Sequence, residues 1–231
     1  DFLFKIQSDD IFVWNYVPPE NTTYVPDDNF EQALIDLDYD DELDDYVLTA
    51  NISGVTSLDV NGKEISDLTG IEDFTALTDL QCNDNQLTTL DVSSNTALTT
   101  LNCSNNQLTS LDVSANTDLG NLHAHDNSLT SLDLTNNAEL HSLYIAVNNL
   151  TSLDLSNNTA LQNFSCYNNQ LTSLDVSNNI ALTYFQPHGN LLTSIDLSSN
   201  TALTRMNISN NQLTYLNMKN GLTDQIDDFN A

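Results

Sequence analysis

Seven consecutive copies of one 21-residue pattern dominate the sequence and constrain its fold more than any other feature. Each copy follows L-x-x-L-x-(C/apolar)-x-x-N-x-L-T-x-L-D-(V/L)-S-x-N-x-x, and the first reads LTDLQCNDNQLTTLDVSSNTA. The copies begin at Leu77, Leu98, Leu119, Leu140, Leu161, Leu182 and Leu203. A short fixed period predicts a solenoid, because one repeat cannot bury its own apolar face whereas stacked repeats share a core. Function must then be sought at the positions that vary among the copies.

Two stretches of each repeat alternate apolar and polar residues, which is the pattern of a half-buried β-strand. In the first copy, Leu80 and Cys82 are expected to point inward from one stretch, and Leu90 and Val92 from the other. The second stretch is too short for a regular helix. We therefore predict two parallel β ladders joined by turns, with adjacent coils about 4.8 Å apart.

Three repeated positions have a structural interpretation. The ninth is Asn in every copy and is expected to bond to the backbone of adjacent coils; these are Asn85, Asn106, Asn127, Asn148, Asn169, Asn190 and Asn211. An Asp column is expected to cap turns by accepting backbone N–H groups; it comprises Asp91, Asp112, Asp133, Asp154, Asp175 and Asp196. Cys82, Cys103 and Cys166 share the inward sixth position and are expected to be buried free thiols.

The ends of the chain depart from the repeat. Between Pro26 and Leu37, apolar residues at i, i+3, i+4 and i+7 predict an amphipathic helix that could cover the end of the stack. We divide the chain into an N-terminal extension with a β-hairpin (1–24), a helical N-terminal cap (25–54), a degenerate first repeat (55–76), seven repeats (77–223) and the start of a truncated C-terminal cap (224–231). Because the chain begins at Asp1 without Met, we expect a piece of a longer protein.

Charge narrows the classes of partner. Four basic residues against thirty-three acidic ones give a formal net charge of -29. This charge repels phosphate backbones and anionic lipid headgroups, so it argues against nucleic acid and membrane surfaces as partners. No stretch approaches the roughly 18 apolar residues that cross a bilayer, and the sequence therefore indicates no direct membrane insertion.

The repeat resembles a known family. The spacing L-x-x-L-x-(L/C)-x-x-N-x-L resembles the leucine-rich repeat, and L-T-x-L-D-V-S-x-N-T-A resembles repeats of internalin-like bacterial surface proteins. The segment VPDDNFEQALIDL is similar to one that precedes the repeats of secreted leucine-rich proteins from Bacteroidetes-type bacteria. This resemblance implies a right-handed, β-dominated leucine-rich repeat solenoid with a parallel β-sheet on its concave face. It also implies a secreted or cell-surface protein that binds a protein or glycan through that sheet.

The middle repeats differ from the others on the outward face of the predicted sheet. Repeats at both ends carry short polar residues there, whereas the middle ones carry rings, with His141 at a strand edge. The candidate ligand-binding residues are His123, His125, Tyr144, Tyr167, Tyr184, Gln186, His188 and Arg205. Given the coil spacing, Tyr144 is expected beside His123, and Tyr167 beside His188. Such rings are enriched at binding hot spots, although drift at exposed positions would give a similar set.

The sequence gives little support for a metal site or for catalysis. Zinc at His123 and His125 would lack a third protein ligand. Calcium is a weak candidate at Asp36, Asp38 and Asp40, whose spacing matches the opening of an EF-hand loop without its Gly and final Glu. A hydrolase needs a nucleophile beside an oriented base, and among so many Ser the approach of Ser104 to His125 is expected by chance, so we expect no enzyme. The hypotheses are a recognition or adhesion module without a required cofactor, and a structural spacer or accessory domain associated with other domains or surface proteins.

Overall fold

One parallel sheet runs along the solenoid. The computed structural model describes residues 3–8, 11–16, 20–221 and 228–230. Nine of its strands pair in the order β5-β6-β7-β8-β9-β10-β11-β13-β15. They are β5 (Ser57–Asp59), β6 (Asp79–Gln81), β7 (Thr100–Asn102), β8 (Asn121–His123), β9 (Ser142–Tyr144), β10 (Asn163–Ser165), β11 (Tyr184–Gln186), β13 (Arg205–Asn207) and β15 (Asp228–Asn230). This arrangement confirms the predicted leucine-rich repeat solenoid.

The register of the sheet stacks equivalent residues of successive repeats. Leu80 pairs with Leu101, and Leu101 with Leu122, so each column of side chains advances by one repeat per coil. The central strand residues point inward and are fully buried; they are Leu58, Leu80, Leu101, Leu122, Leu143, Phe164, Phe185 and Met206. Burial of such side chains stabilises by about 1.5–3 kcal/mol each, so the shared core holds coils that could not fold singly.

The prediction of a second continuous β ladder is wrong. In the described part of the chain, that flank has one strand pair, β12 (Ser194–Asp196) with β14 (Tyr215–Asn217), and one isolated bridge between Asp91 and Asp112. Alternation predicts which side chains point inward, and Val92 is fully buried there without a continuous ladder. The side chain of Asp91 accepts the backbone N–H of Ser93 at 2.9 Å, and Asn95 donates its own N–H to the carbonyl of Val92. The same turn bonds occur at Asp196 and Asn200, beside strand β12.

The Asp column serves the predicted purpose. Each Asp accepts the backbone N–H of the residue two positions later, at 2.9 Å. Hydrogen bonds to the carboxylates lower the pKa values of all six. These exposed side chains are therefore charged turn caps on the flank opposite the long sheet.

Two Asn columns connect the coils, of which the sequence pattern predicted one. At the ninth position, Asn169 accepts the N–H of Leu150 at 3.0 Å and donates to the carbonyls of Ile145 and Cys166. In the second column, Asn137 donates to the carbonyls of Val113 and Asn116, at 3.0 and 2.8 Å. The second column is almost completely buried and comprises Asn95, Asn116, Asn137, Asn158, Asn179 and Asn200. Side-chain amides thus take over backbone pairing at the turns.

The N-terminal region combines short strands and helices. Strands β1 (Leu3–Ser8) and β2 (Ile11–Tyr16) pair antiparallel, as do β3 (Thr22–Tyr24) and β4 (Tyr46–Leu48). Helix α1 (Asp28–Asp36) confirms the predicted amphipathic helix, and a short α2 (Thr49–Ile52) follows. Phe30 of α1 lies 6.4 Å from Phe74, ring centre to ring centre, in a core shared with the repeats. The role of this region as a cap stays a prediction, and most of the predicted C-terminal cap lies outside the described residues.

Asp27 joins helix α1 to the first coils. One carboxylate oxygen accepts the N–H groups of Asn29 and Phe30, which caps the helix. The other accepts the N–H and hydroxyl of Ser66, at 2.8 and 2.7 Å, and the N–H of Asp67. Partial burial opposes the charge, but these bonds outweigh it and lower the pKa of Asp27.

We predict that Asp27→Ala lowers the free energy of unfolding by about 2 kcal/mol, because a helix cap and a cross-link are lost together. Urea denaturation at pH 7 measures the loss. Asp28→Ala is the control, since Asp28 is exposed in the same turn. Because the folded pKa of Asp27 is lowered, this stabilisation is complete above pH 4 and declines as the pH falls through the folded pKa. Equal losses in both variants at pH 7 would contradict the cross-link.

Candidate ligand-binding surface on the long sheet

The outward face of the long sheet carries two pairs of rings in the middle coils. The ring centres of His123 and Tyr144 are 4.7 Å apart and their planes meet at 66°, an edge-to-face contact. The rings of Tyr167 and His188 lie 4.6 Å apart with planes only 11° from parallel. Both contacts join neighbouring coils, as the sequence predicted. We call these four side chains the ring patch.

The strand register positions the ring patch diagonally across the sheet. His123 pairs with Tyr144, which pairs with Ser165, which pairs with Gln186. Tyr167 lies two residues beyond Ser165, in the adjacent outward column. All four rings are partly exposed. Backbone ladders on both sides therefore hold the rings in fixed positions on a rigid surface.

The remaining candidates border the ring patch unequally. Tyr184 and Arg205 pair in the first outward column of the sheet, where Arg205 is exposed. Gln186 is only 9% exposed, so most of its amide is withdrawn from solvent. Of the predicted residues, Gln186 therefore offers the least surface to a partner.

His125 has a charged neighbour that the sequence did not single out. Its Nδ1 atom lies 2.8 Å from a carboxylate oxygen of Asp126. Asp or Asn is common at this repeat position, for example Asp84 and Asn105, so the pattern alone gave no signal. Adjacency to a His on the outward face would have been the only indication.

The imidazoles of the ring patch favour their neutral forms. Burial lowers the pKa of His123, and nearby His125 lowers it further. Burial also lowers the pKa of His188. A neutral imidazole has one N–H donor and one nitrogen acceptor, but Nδ1 of His188 is buried, so only Nε2 of that ring can face a partner. The ring patch is thus an uncharged, hydrogen-bonding surface on a strongly acidic chain.

A strained residue borders the ring patch. The eighth position of every repeat has a positive φ, between 52° and 66°. The residues there are Asp84, Asn105, Asp126, Val147, Asn168, Gly189 and Asn210. Asp, Asn and Gly tolerate this conformation, whereas a β-branched side chain is strained in it. Val147 therefore departs from the rule at the centre of the candidate surface, one coil before Tyr167.

Neither the weak calcium candidate nor the three Cys belong to a group of side chains that could hold a metal ion. In the range 20–221, no three His, Cys, Asp or Glu side chains form a metal-binding group. At the weak calcium candidate, Asp36 instead binds Lys63 at 3.0 Å and Gln32 at 3.1 Å, while Asp38 adopts a left-handed backbone conformation. The three Cys are buried and free, as predicted, and burial raises the pKa of Cys103 to about 12. Such thiols are poor nucleophiles.

We predict that His125→Gln raises the pKa of His123 and leaves that of His188 unchanged, because only His123 is lowered by His125. NMR titration of the imidazole Cε1–H signals measures both values. A His with a lowered folded pKa binds protons more weakly than in the unfolded chain, so stability falls as the pH drops below about 6.5 toward the folded pKa. An unchanged pKa for His123 would show that the two rings are not coupled.

We predict that Val147→Asn raises the free energy of unfolding by about 1 kcal/mol, because Asn tolerates the left-handed conformation better than Val. Asn105→Val, at the same position two coils earlier and exposed, should lower it by a similar amount. Urea denaturation of both variants provides the measurement. A loss of stability in Val147→Asn would mean that packing of Val147 outweighs the strain.

Comparison with known proteins gives matches to internalins. No family model matches the chain. A stretch of 72 residues is 39% identical to Internalin J of Listeria monocytogenes serotype 4b, and it covers 31% of this chain and 8% of that protein.

Within the described residues, no helix has the length and apolar character needed to cross a membrane.

Solved structures of two internalins from Listeria monocytogenes share the fold. Internalin C2 has a TM-score of 0.79 at 23% identity, with 92% of this chain and 97% of that chain covered. Internalin F has a TM-score of 0.65 at 24% identity, with 84% of this chain and 69% of that chain covered. The repeat period and the parallel solenoid show a leucine-rich repeat fold, and the match to Internalin J over 72 residues makes these repeats internalin-like.

Proposed function

We propose that this chain is a non-enzymatic recognition module that binds a protein partner through the ring patch, on the concave face of the solenoid. The observation that carries the proposal is the pair of inter-coil ring contacts confined to the middle coils. Equivalent outward positions in the first two repeats hold Gln81, Asn83, Asn102 and Ser104. The internalin-like repeats support a protein-interaction or adhesion module in general.

Physical properties of the ring patch favour a protein ligand. Tyr and His lose little conformational freedom on binding because each has only two side-chain torsions, and ring contacts already restrict them. Neutral rings can be desolvated at lower cost than charged side chains. The backbone beneath them is held on both sides by neighbouring strands, so binding need not order a loop.

The ring geometry argues for protein over glycan. Tyr167 and His188 are stacked on each other, which occupies one face of each ring. A sugar binds by lying flat on a free ring face, whereas ring edges and polar tips can enter a protein pocket. The edge-to-face pair of His123 and Tyr144 likewise uses ring area within the protein. Glycan binding remains a distinct outcome of the experiment below.

We further propose that the module acts outside the cell, either secreted or at the cell surface. The internalin-like character of the repeats supports this location. A net charge of -29 would also accelerate the encounter with a partner that has a basic surface.

We predict that Tyr144→Ala/Tyr167→Ala weakens partner binding by about 2 kcal/mol for each residue, with folding retained, because both side chains lie at the centre of the ring patch. The matched control is Tyr24→Ala/Tyr215→Ala, which removes two exposed Tyr rings elsewhere, 49% and 55% exposed. Affinity capture from envelope and extracellular protein extracts, with dissociation constants measured for captured proteins, provides the readout. A glycan array is screened in parallel.

Loss of capture in the first variant and retention in the control is the expected result. Equal capture by both variants, or none by the wild type, would favour the structural spacer. Glycans bound by the wild type and lost in the first variant would replace the protein partner by a carbohydrate. Circular dichroism and urea denaturation establish that each variant is folded.

A further inference from the structure

The two ring pairs of the ring patch enclose their imidazoles differently. His123 meets Tyr144 edge to face, whereas His188 lies nearly flat against Tyr167, with ring centres 4.6 Å apart and planes 11° from parallel. Nδ1 of His188 is buried and has no hydrogen-bond partner, and in the range 20–221 no other imidazole has such an atom. One nitrogen of His188 is therefore closed off from solvent as long as the ring stays in the stack.

The coils on both sides hold the backbone around His188. Its carbonyl accepts the N–H of Asn168 at 3.0 Å, and Gly189 donates its N–H to the carbonyl of Ser209 at 3.0 Å. Pro187, just before it, is buried. Rotation of the His188 side chain can thus separate the ring from Tyr167 without a change in the solenoid.

The stacked position suits a neutral imidazole and not a charged one. A neutral ring carries one proton, which Nε2 can hold while Nδ1 stays bare. Protonation adds an N–H at Nδ1, and a buried donor of a charged group without an acceptor is costly. Attraction between an imidazolium and the face of Tyr167 opposes this cost, but it is weak at a partly exposed site. The charged ring is therefore more stable once it has turned out into solvent.

The neighbours of His188 do not offset this cost. In its outward column, the equivalent residues are Tyr167 in the coil before and Ser209 in the coil after, and neither side chain gains or loses charge between about pH 5 and 8. The Ser209 hydroxyl donates to Asn207 at 2.7 Å, and Arg205 lies in the first outward column, paired with Tyr184. Burial alone lowers the pKa of His188, whereas His123 is also affected by His125.

We propose that protonation of His188 opens its stack with Tyr167, so that the ring patch binds its partner at neutral pH and releases it in acid. Opening takes two of the four rings out of their fixed positions and adds a charge to a neutral surface. The release rests on the proposed function, whereas the opening of the pair does not.

Linkage gives the direction and the pH range of the effect. Because the pKa of the stacked ring is lowered from 6.5, the stacked form binds protons more weakly than the open form. The ratio of stacked to open pairs therefore falls as the pH drops below about 6.5, by up to ~10-fold for each pH unit, until the pKa of the stacked ring is reached.

NMR of the whole chain from about pH 8 to 5 tests the opening without a partner. Long-range ¹H–¹⁵N correlation spectra report which nitrogens of His188 carry a proton, and NOEs between the rings of Tyr167 and His188 report the stack. Tyr167→Phe assigns the Tyr167 signals. The test variant is His188→Gln, which keeps a planar amide but cannot titrate, and the matched control is His123→Gln in the other ring pair. Circular dichroism at each pH establishes that the chain is folded.

We expect Nε2 alone to be protonated at neutral pH, with NOEs to Tyr167 that disappear at the midpoint of the His188 titration. The Tyr167 signals should follow the same midpoint in His123→Gln and stay constant in His188→Gln. NOEs that persist when both nitrogens are protonated, a neutral ring with its proton on Nδ1, or a Tyr167 transition that remains in His188→Gln would overturn the proposal.

The release is tested on the proteins captured in the experiment on the Tyr variants. Lowering the pH from about 6.5 to 5.5 should weaken binding by up to ~10-fold in the wild type and in His123→Gln, and by less than ~2-fold in His188→Gln. An equal loss in His188→Gln would overturn the release. No capture at either pH would overturn the proposed function and the release together, while the NMR result still decides whether the pair opens.

Discussion

The stacking of coils depends on side-chain amides that substitute for backbone partners. A solenoid turn leaves N–H and C=O groups without a strand neighbour, and burying them unpaired costs about 1–3 kcal/mol each. Asn169 and Asn137 show how two columns of amides satisfy these groups by reaching from one coil into the one before it. Once the turns are satisfied, the inward Leu and Phe residues fall into register and the long sheet forms. The outward residues are then free to vary.

The sequence predicted the part of the fold that periodicity controls. Alternation around Leu80 and Cys82 located the long sheet, and the apolar spacing around Phe30 located helix α1. Alternation around Leu90 and Val92 failed to predict the opposite flank correctly, because it reports which side chains point inward and not whether neighbouring backbones pair.

The sequence predicts which side chains of the candidate site share a column, but it does not predict how they are oriented or buried. A 21-residue period places Tyr144 beside His123 without any coordinates, but ring orientations and the withdrawal of Gln186 depend on packing. The contact between Asp126 and His125 and the strained backbone of Val147 both depend on local geometry that the sequence pattern does not reveal.

The fixed register of the long sheet also limits how this surface can change. Each ring pair joins residues of two adjacent coils, so a whole repeat inserted between β9 and β10 would leave both pairs intact and only increase their separation. That separation can change only in steps of one coil, about 4.8 Å. Duplication or deletion of a repeat therefore alters the distance between contact points on this surface without altering their chemistry. Substitutions within a coil do the reverse, so shape and specificity can evolve separately.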